Sequence, residues 1–355
     1  MGRENEAERL SSLKAEISLM SQEPVPRFDS LLDRCTFPPP GSPLVVAVSG
    51  GPDSTALLIL AVFAGCKVKA VHVDHSVRPG SHLEATFVED LCRRFGAEFE
   101  SKTVTVKSGP NLEARMRSAR NAVLPVGTAT GHTADDQAES ILINIMRGCG
   151  IDGMAAMEPK SQGSGQGSGQ GPEQGLEQTA AELMLAECPK GSQILPEVIS
   201  PRTHPIIRLR RAETRKLCTD FAIEVLEDPS NTDTRFLRNR VRNELIPLME
   251  EISKRDIVAV ITRQASTISE EVEFLNQLAT RLDPTDARKI SQAPRVLARR
   301  ALRKWIADSD PSGYAPESAG VDRVLQVAAF KAKGCNVKNG LRVRRSEGRL
   351  RIEWE

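Results

Sequence analysis

The sequence predicts an α/β fold: a mostly parallel sheet wrapped by helices, followed by a smaller, mainly helical C-terminal domain. Three observations carry this. From Leu44 apolar strand-like runs alternate with helical patterns. The first of these runs, "LVVAV" (44–48), leads straight into the glycine-rich turn Ser49-Gly50-Gly51-Pro52-Asp53-Ser54-Thr55. Beyond residue 250 the apolar spacing is helical almost to the end.

In chain order, residues 1–43 read as an N-terminal leader that ends in the breaker "FPPPGSP". The run 44–48 predicts a first strand, with a helix from the turn to about Cys66. "VKAVHVDH" (68–75) and helix 82–95 follow, then strand 97–106 and helix 111–124. "GTATGH" (127–132) reads as the next strand, leading into a helix through about Met146. In such sheets ligands bind at the carboxyl ends of the strands. The segment "SQGSGQGSGQGPEQGLEQ" (161–178), within a flexible insertion over 161–190, has no apolar periodicity and cannot offset its ordering entropy; order is expected again near Ile194. "TRFLRNRVRNELIPLM" (234–249) reads as a helix with Leu237, Val241, Leu245 and Leu248 on one face and Arg235, Arg238 and Arg242 on another. Helices 252–282, 292–308 and 319–331 and a terminal hairpin, "GLRVRRSEGRLRIEWE", complete a C-terminal domain over 250–355, with 44–249 as the first domain.

Composition narrows the class. A 39% hydrophobic and 27% charged chain is that of a soluble globular protein, and no run approaches the roughly 20 apolar residues that span a bilayer. The N-terminus mixes acids and bases, unlike a signal or transit peptide. Seven scattered cysteines with no CxxC suggest reduced thiols, hence a cytoplasmic protein without a zinc site. A net charge of +1 does not announce nucleic acid, and it does not exclude a local basic face. Oligomeric state, a homodimer included, is left open.

The turn at 49–55 lacks the lysine of a Walker A loop, and GxGxxG is missing. Two readings remain on the residues alone. One is a cradle of backbone N–H groups for an anion at a helix N-terminus. The other is a plain strand-to-helix turn capped by Ser49 or Asp53.

SGGPDS resembles the pyrophosphatase (PP) loop of ATP-dependent adenylating enzymes, which cleave ATP between the α and β phosphates. "VHVDHSVRPGSHLEA" (71–85), "NLEARMRSARNAVL" (111–124), "GHTADDQAESILINIMRGCGIDGM" (131–154) and "EDPSNTDTRFLRNRVRNELIP" (227–247) stand in the order seen in tRNA(Ile)-lysidine synthetases. The resemblance covers most of 44–249 and, more loosely, 250–355. It implies a Rossmann-like PP-loop domain and a reaction in two halves. The 2-carbonyl oxygen of a wobble cytidine attacks the α-phosphorus of ATP and releases pyrophosphate, and the amine of free L-lysine then displaces AMP.

The resemblance also assigns roles. Ser49, Gly50, Gly51, Pro52, Asp53 and Ser54 would bind ATP's phosphates, with Asp53 associated with Mg²⁺, whose hard charge suits a carboxylate; the alternative for Asp53 is a helix cap. If the helix starts near His132, then His132, Asp136 and Glu139 share one face that can hold lysine's ammonium and accept its proton. Against this, Thr133 and Asp136 also fit a local capping arrangement, and Glu139 a solvated helix face. His72 and Asp74 would contact the nucleoside half of ATP. Arg117, with Arg120, would steady phosphates or the adenylate, although Met116 and Asn121 depart from the family's pattern there. Arg235, Arg238, Arg240 and Arg242 make a basic element for a CAU-anticodon isoleucine tRNA, and the helical region would grip that RNA. Arg342, Arg344, Arg349 and Arg351 would line the polar face of the hairpin, as RNA contacts or as a solvated sheet face. Competing readings are an RNA sulfurtransferase, a small-molecule amide ligase and a catalytically idle binding module.

Overall fold

In a computed structural model of the protein the described residues are 26–74, 81–104, 119–120, 122–155, 157, 202–226, 233–310, 316–338 and 340–354. Helix α1 (Pro26–Leu32) lies inside the stretch expected to be a leader, and it belongs to the core. Phe28 packs edge-on against Phe63 at 4.8 Å and lies 6.3 Å from Phe221. The leader reading is therefore corrected for residues 26–43, while 1–25 fall outside the described residues.

Strands β1 (Pro43–Ala47), β2 (Lys67–Asp74) and β3 (Glu98–Thr103) pair in parallel in the order β1-β2-β3. Helix α2 (Pro52–Phe63) connects the first two, and α3 (Ser81–Phe95) the second two. On the other side of β1, Ala129 bridges to Val46 and Thr203 bridges to Ala129, both in parallel. The expected strand 127–132 is thus one rung wide, held by Ala47 N donating to Ala129 O at 2.9 Å and Ala129 N donating to Val45 O at 2.8 Å. The chain leaves β1 toward β2 and β3, then returns to β1's opposite edge. The crevice between β1 and the Ala129 segment is therefore the topological switch point where α/β sheets take their ligands. Most of the expected helix 111–124 and the insertion 161–190 lie outside the described residues.

Helix α2 is apolar on every side, and Ala56 through Ala61 are fully buried. A helix of that kind needs partners all round. It has the sheet and helix α6 (Arg211–Asp220), which follows α4 (Ala134–Met146) and the short α5 (Ile151–Met154). The predicted helix 234–249 is α7 (Leu237–Arg240), a π-helical turn (Val241–Leu245) and α8 (Ile246–Ser253). Pro247 explains the wide turn, because its ring lacks an N–H and clashes with the carbonyl four residues back in regular α geometry. The face reading holds in part: Val241 is buried, but Leu237 and Leu248 are about half exposed.

The expected helix 252–282 is interrupted. Lys254 adopts a left-handed φ of 54°, and α9 (Ile257–Ala279) starts afresh with Asp256 accepting Ala259 N at 3.0 Å. Helices α10 (Ala287–Gln292), α11 (Arg295–Asp308) and α12 (Ser318–Ala328) follow. The terminal hairpin is present as β5 (Leu341–Ser346) and β6 (Arg349–Trp354), with an unforeseen antiparallel strand, β4 (Gly334–Lys338), beside it. Leu341, Val343 and Leu350 pack into a core with Val324 and Leu302, while Arg342, Arg344, Arg349 and Arg351 alternate outward. A third apolar cluster sets Ala134, Ala138 and Leu142 of α4 against Val241, Ile246 and Val258, which docks the helical region on the helix that carries the site.

Candidate active site

The turn after β1 is shaped by its own residues. Gly50 sits at φ +84°, a left-handed conformation in which a Cβ is strained. Ser54 Oγ braces the loop from within, accepting Ser49 N at 3.2 Å and donating to Gly51 O at 3.0 Å. Helix α2 begins with Gly51 as N-cap and Pro52 in its first turn, and no side chain caps it. The capping alternative for Ser49 and Asp53 thus finds no support. An uncapped N-terminus offers its N–H groups to an anion or to water. Across the switch point Gly131 presses on this turn: a Cβ there would stand 2.8 Å from the carbonyl carbon and oxygen of Asp53.

Helix α4 starts at Ala134, with Thr133 as N-cap, so His132 precedes the helix and the expected i, i+4, i+7 face does not form as drawn. His132 Nδ1 lies 2.8 Å from Thr130 Oγ1, and the same hydroxyl lies 2.8 Å from His204 Nδ1. The two rings meet edge to face at 4.8 Å. Asp136 Oδ2 accepts both Thr133 N and Thr133 Oγ1 at 3.0 Å, so the local capping alternative is realised.

Asp136 Oδ1 and Glu139 turn toward three arginines. Arg211 donates from Nη2 to Asp136 at 2.9 Å, from Nη1 to Glu139 at 3.0 Å and from Nε to Asp53 at 3.4 Å. Arg238 reaches Glu139 at 2.7 Å and Asp136 at 3.1 Å, and Arg242 forks onto Glu139 at 2.7 and 3.1 Å. Glu139 is fully buried, which overturns the solvated-face alternative. Thr214 Oγ1 donates to the other oxygen of Asp53. Of the four arginines expected to face RNA, Arg238 and Arg242 therefore point inward. Arg235 and Arg240 are exposed, and each has a carboxylate neighbour, Asp233 at 2.7 Å and Glu244 at 2.9 Å.

Burial alone would raise the Asp136 pKa, but Arg211 and Arg238, helped by His132 and the Thr133 N–H, bring it down to about 2. A carboxylate held that low is a poor proton acceptor near neutrality. Asp53 goes the other way: burial raises it, and Thr214 and Arg211 only partly offset that. The same three carboxylates hold Arg211 firmly protonated against the cost of its burial.

These opposite shifts have opposite linkage. A depressed native pKa means the folded state binds fewer protons than the unfolded chain, so the Asp136 contribution is present above the ordinary carboxylate value. It is lost as pH falls from about 4 toward about 2. Asp53, being raised, adds nothing to that acid loss. Asp136→Asn is accordingly expected to lower the thermal midpoint at pH 7 and to flatten its decline between about pH 4 and 2, read by circular dichroism melts across pH. An unchanged acid limb would disprove the pairing.

His72 lies at the carboxyl end of β2, 1% exposed, with Nδ1 2.9 Å from Val48 O. Its buried Nε2 is an unmade hydrogen bond among the described residues, at the strand end where the nucleoside was expected. Asp74 ends the same strand, half-buried. Arg117 lies outside the described residues. The sequence reading missed Arg211, Thr214, Gly131, Thr130 and His204. Only the run of arginines in "HPIIRLRRAE" hinted at the first, and its partner Asp53 is 158 positions away.

The PP-loop domain profile matches residues 25–249, more than half of the chain. A tRNA(Ile)-lysidine synthase of Nocardia farcinica is 32% identical over 319 residues, 83% of this chain and 85% of that protein. The chain belongs to the tRNA(Ile)-lysidine synthase family. Family members from Rhodococcus erythropolis and Cutibacterium acnes are also 32% identical, over 74% of this chain and 73% and 78% of theirs. The profile's span includes both α1 and the π turn. As a member of this family of ATP-dependent, tRNA-modifying ligases, the chain places its PP-loop where an open α/β sheet binds its ligand. No helix among the described residues is long and apolar enough to cross a membrane.

Proposed function

We propose that the protein joins free L-lysine to the wobble cytidine of a CAU-anticodon isoleucine tRNA, through an adenylated cytidine, with release of AMP and pyrophosphate. The observation that carries this reading is the lysine-free, uncapped turn at Gly51–Ser54, clamped by Gly131 and tied through Asp53 to Arg211. The turn's N–H groups would hold the phosphates, and Arg211 would offset charge on the departing pyrophosphate. Among the described residues no three-carboxylate or histidine cluster could hold a metal by itself. A single carboxylate, Asp53, suits Mg²⁺ that arrives on ATP's phosphates, because this ion usually keeps few protein ligands. Such an ion would neutralise phosphate charge.

In this reading Asp136 and Glu139 act by fixing Arg211, Arg238 and Arg242. His132, in the loop just before α4 with Nδ1 on Thr130, would take the proton from lysine's ammonium. Arg235 and Arg240 keep the RNA role, with the helical region as the grip. His72 and Asp74 would meet the nucleoside. Cys218, which touches the turn, speaks against sulfur transfer: its Sγ lies 3.5 Å from Pro52 O, and burial pushes the thiol up to about 12.

The test supplies ATP, Mg²⁺, labelled lysine and unmodified transcripts. Label is expected in the CAU-anticodon isoleucine transcript, with AMP and pyrophosphate as products. Equal labelling of the methionine transcript with that anticodon, or release of ADP and orthophosphate, would overturn the proposal.

A further inference from the structure

Helix α6 breaks a local rule. Its N-cap residue is Arg210, which brings a cation to the positive end of a helix and has no side-chain oxygen for the first N–H groups. Glu213 provides the acceptor instead, taking Arg210 N at 2.8 Å. The Arg210 guanidinium reaches elsewhere. Its Nε and Nη2 donate to the two oxygens of Asp135 at 3.2 and 3.3 Å, and Nη1 donates to Asp256.

Each partner stands at the start of another helix. Asp135 lies in the first turn of α4 and also accepts Arg211 N at 2.8 Å. Asp256 is the N-cap of α9, with its other oxygen on Ala259 N. One side chain thus ties together the first turns of α4, α6 and α9. The guanidinium of the next residue, Arg211, touches Asp53 of the turn and Asp136 and Glu139 of α4. The Arg210–Asp256 pair adds little stability by itself, because the Asp256 side chain is 50% exposed and ion pairs of that kind contribute little.

We propose that Arg210 is a positioning residue: it holds the start of α9 in register with α4 and Arg211, and so sets the helical region's distance from the ATP turn. The inference rests on the proposed function in one respect, that RNA is gripped by the helical region while ATP sits at the turn. Reaction then depends on the span between them, and errors on the ångström scale slow bond formation steeply.

Asp256→Asn tests this cleanly. Asparagine caps a helix as well as aspartate does, so the cap is kept while the charge for Arg210 is lost. In the full chain, kcat for RNA-dependent AMP release is expected to fall about fivefold or more. ATP affinity without RNA should be unchanged, and the thermal midpoint should stay within about 2 °C. Arg210→Gln should match it, the double variant should be no slower than the slower single, and Arg210→Lys should recover only part, since an ammonium cannot fork onto two carboxylates. Amide exchange at residues 257–260 should quicken in Asp256→Asn with or without RNA.

A wild-type kcat in Asp256→Asn would overturn the inference. So would a loss of rate matched by equal losses of ATP affinity and thermal midpoint, which marks a structural role. If the wild-type protein fails to modify the RNA in the same assay, the proposed function falls, and the exchange measurement still decides whether Arg210 couples the helices.

Discussion

Arg211→Ala is expected to cost about 3–5 kcal/mol of folding stability and to abolish ATP-dependent transfer to RNA. The arginine is the only described side chain that touches Asp53, Asp136 and Glu139 together. Its removal leaves Glu139, with no exposure at all, relying on Arg238 and Arg242, and strips Asp53 of its cation. A buried charge that loses a partner keeps its desolvation cost and loses the compensating attraction. Arg211→Lys keeps the charge but cannot serve three acceptors along a planar fork, so partial stability without full activity is expected. Urea midpoints give the first effect, and AMP release at a temperature where the variant is folded gives the second. A fully active Arg211→Ala would remove the central contact of the site.

Gly131→Ala is the second large effect. The added methyl would meet backbone atoms of Asp53 and Ser54 at 2.8–2.9 Å, and backbone cannot swing aside as a side chain can. The turn must shift, at about 1–3 kcal/mol by the usual cost of overpacking. The expected result is at least a tenfold loss of ATP affinity, about 1.4 kcal/mol, measured by calorimetry without RNA. Gly150→Ala serves as the control, since that glycine has no neighbour within 4 Å and no left-handed φ. Equal ATP affinity in the two variants would show that the contact between the loops is dispensable.

What was legible in the sequence was local. Alternating apolar runs and the glycine turn placed β1, α2, β2, α3 and β3 within a few residues, because those signals are written in neighbouring positions. Acidic residues in "GHTADDQAES" pointed to the right helix, but its start was misplaced: Thr133 takes the N-cap and leaves His132 in the loop. Helix α1 was hidden because its value to the fold lies in Phe28 and Leu31 meeting residues far along the chain. The inward turn of Arg238 and Arg242 was hidden for the same reason, as an arginine stripe looks alike whether it faces RNA or a buried glutamate about a hundred residues earlier. Strand β4 carries only a weak alternation of its own, and it is defined by the partner that follows it.

The cluster of Arg211, Arg238 and Arg242 with Asp53, Asp136 and Glu139 holds as many guanidinium as carboxyl groups. Seen from beyond the screening distance of physiological salt, about 8 Å, such a balanced set casts almost no field. It cannot draw a nucleotide or an RNA in from solution. Under the proposed function, an approaching phosphate would gain its attraction only at contact, by taking an arginine's donors from a carboxylate, so the cluster would discriminate at short range and leave long-range capture to other parts of the surface.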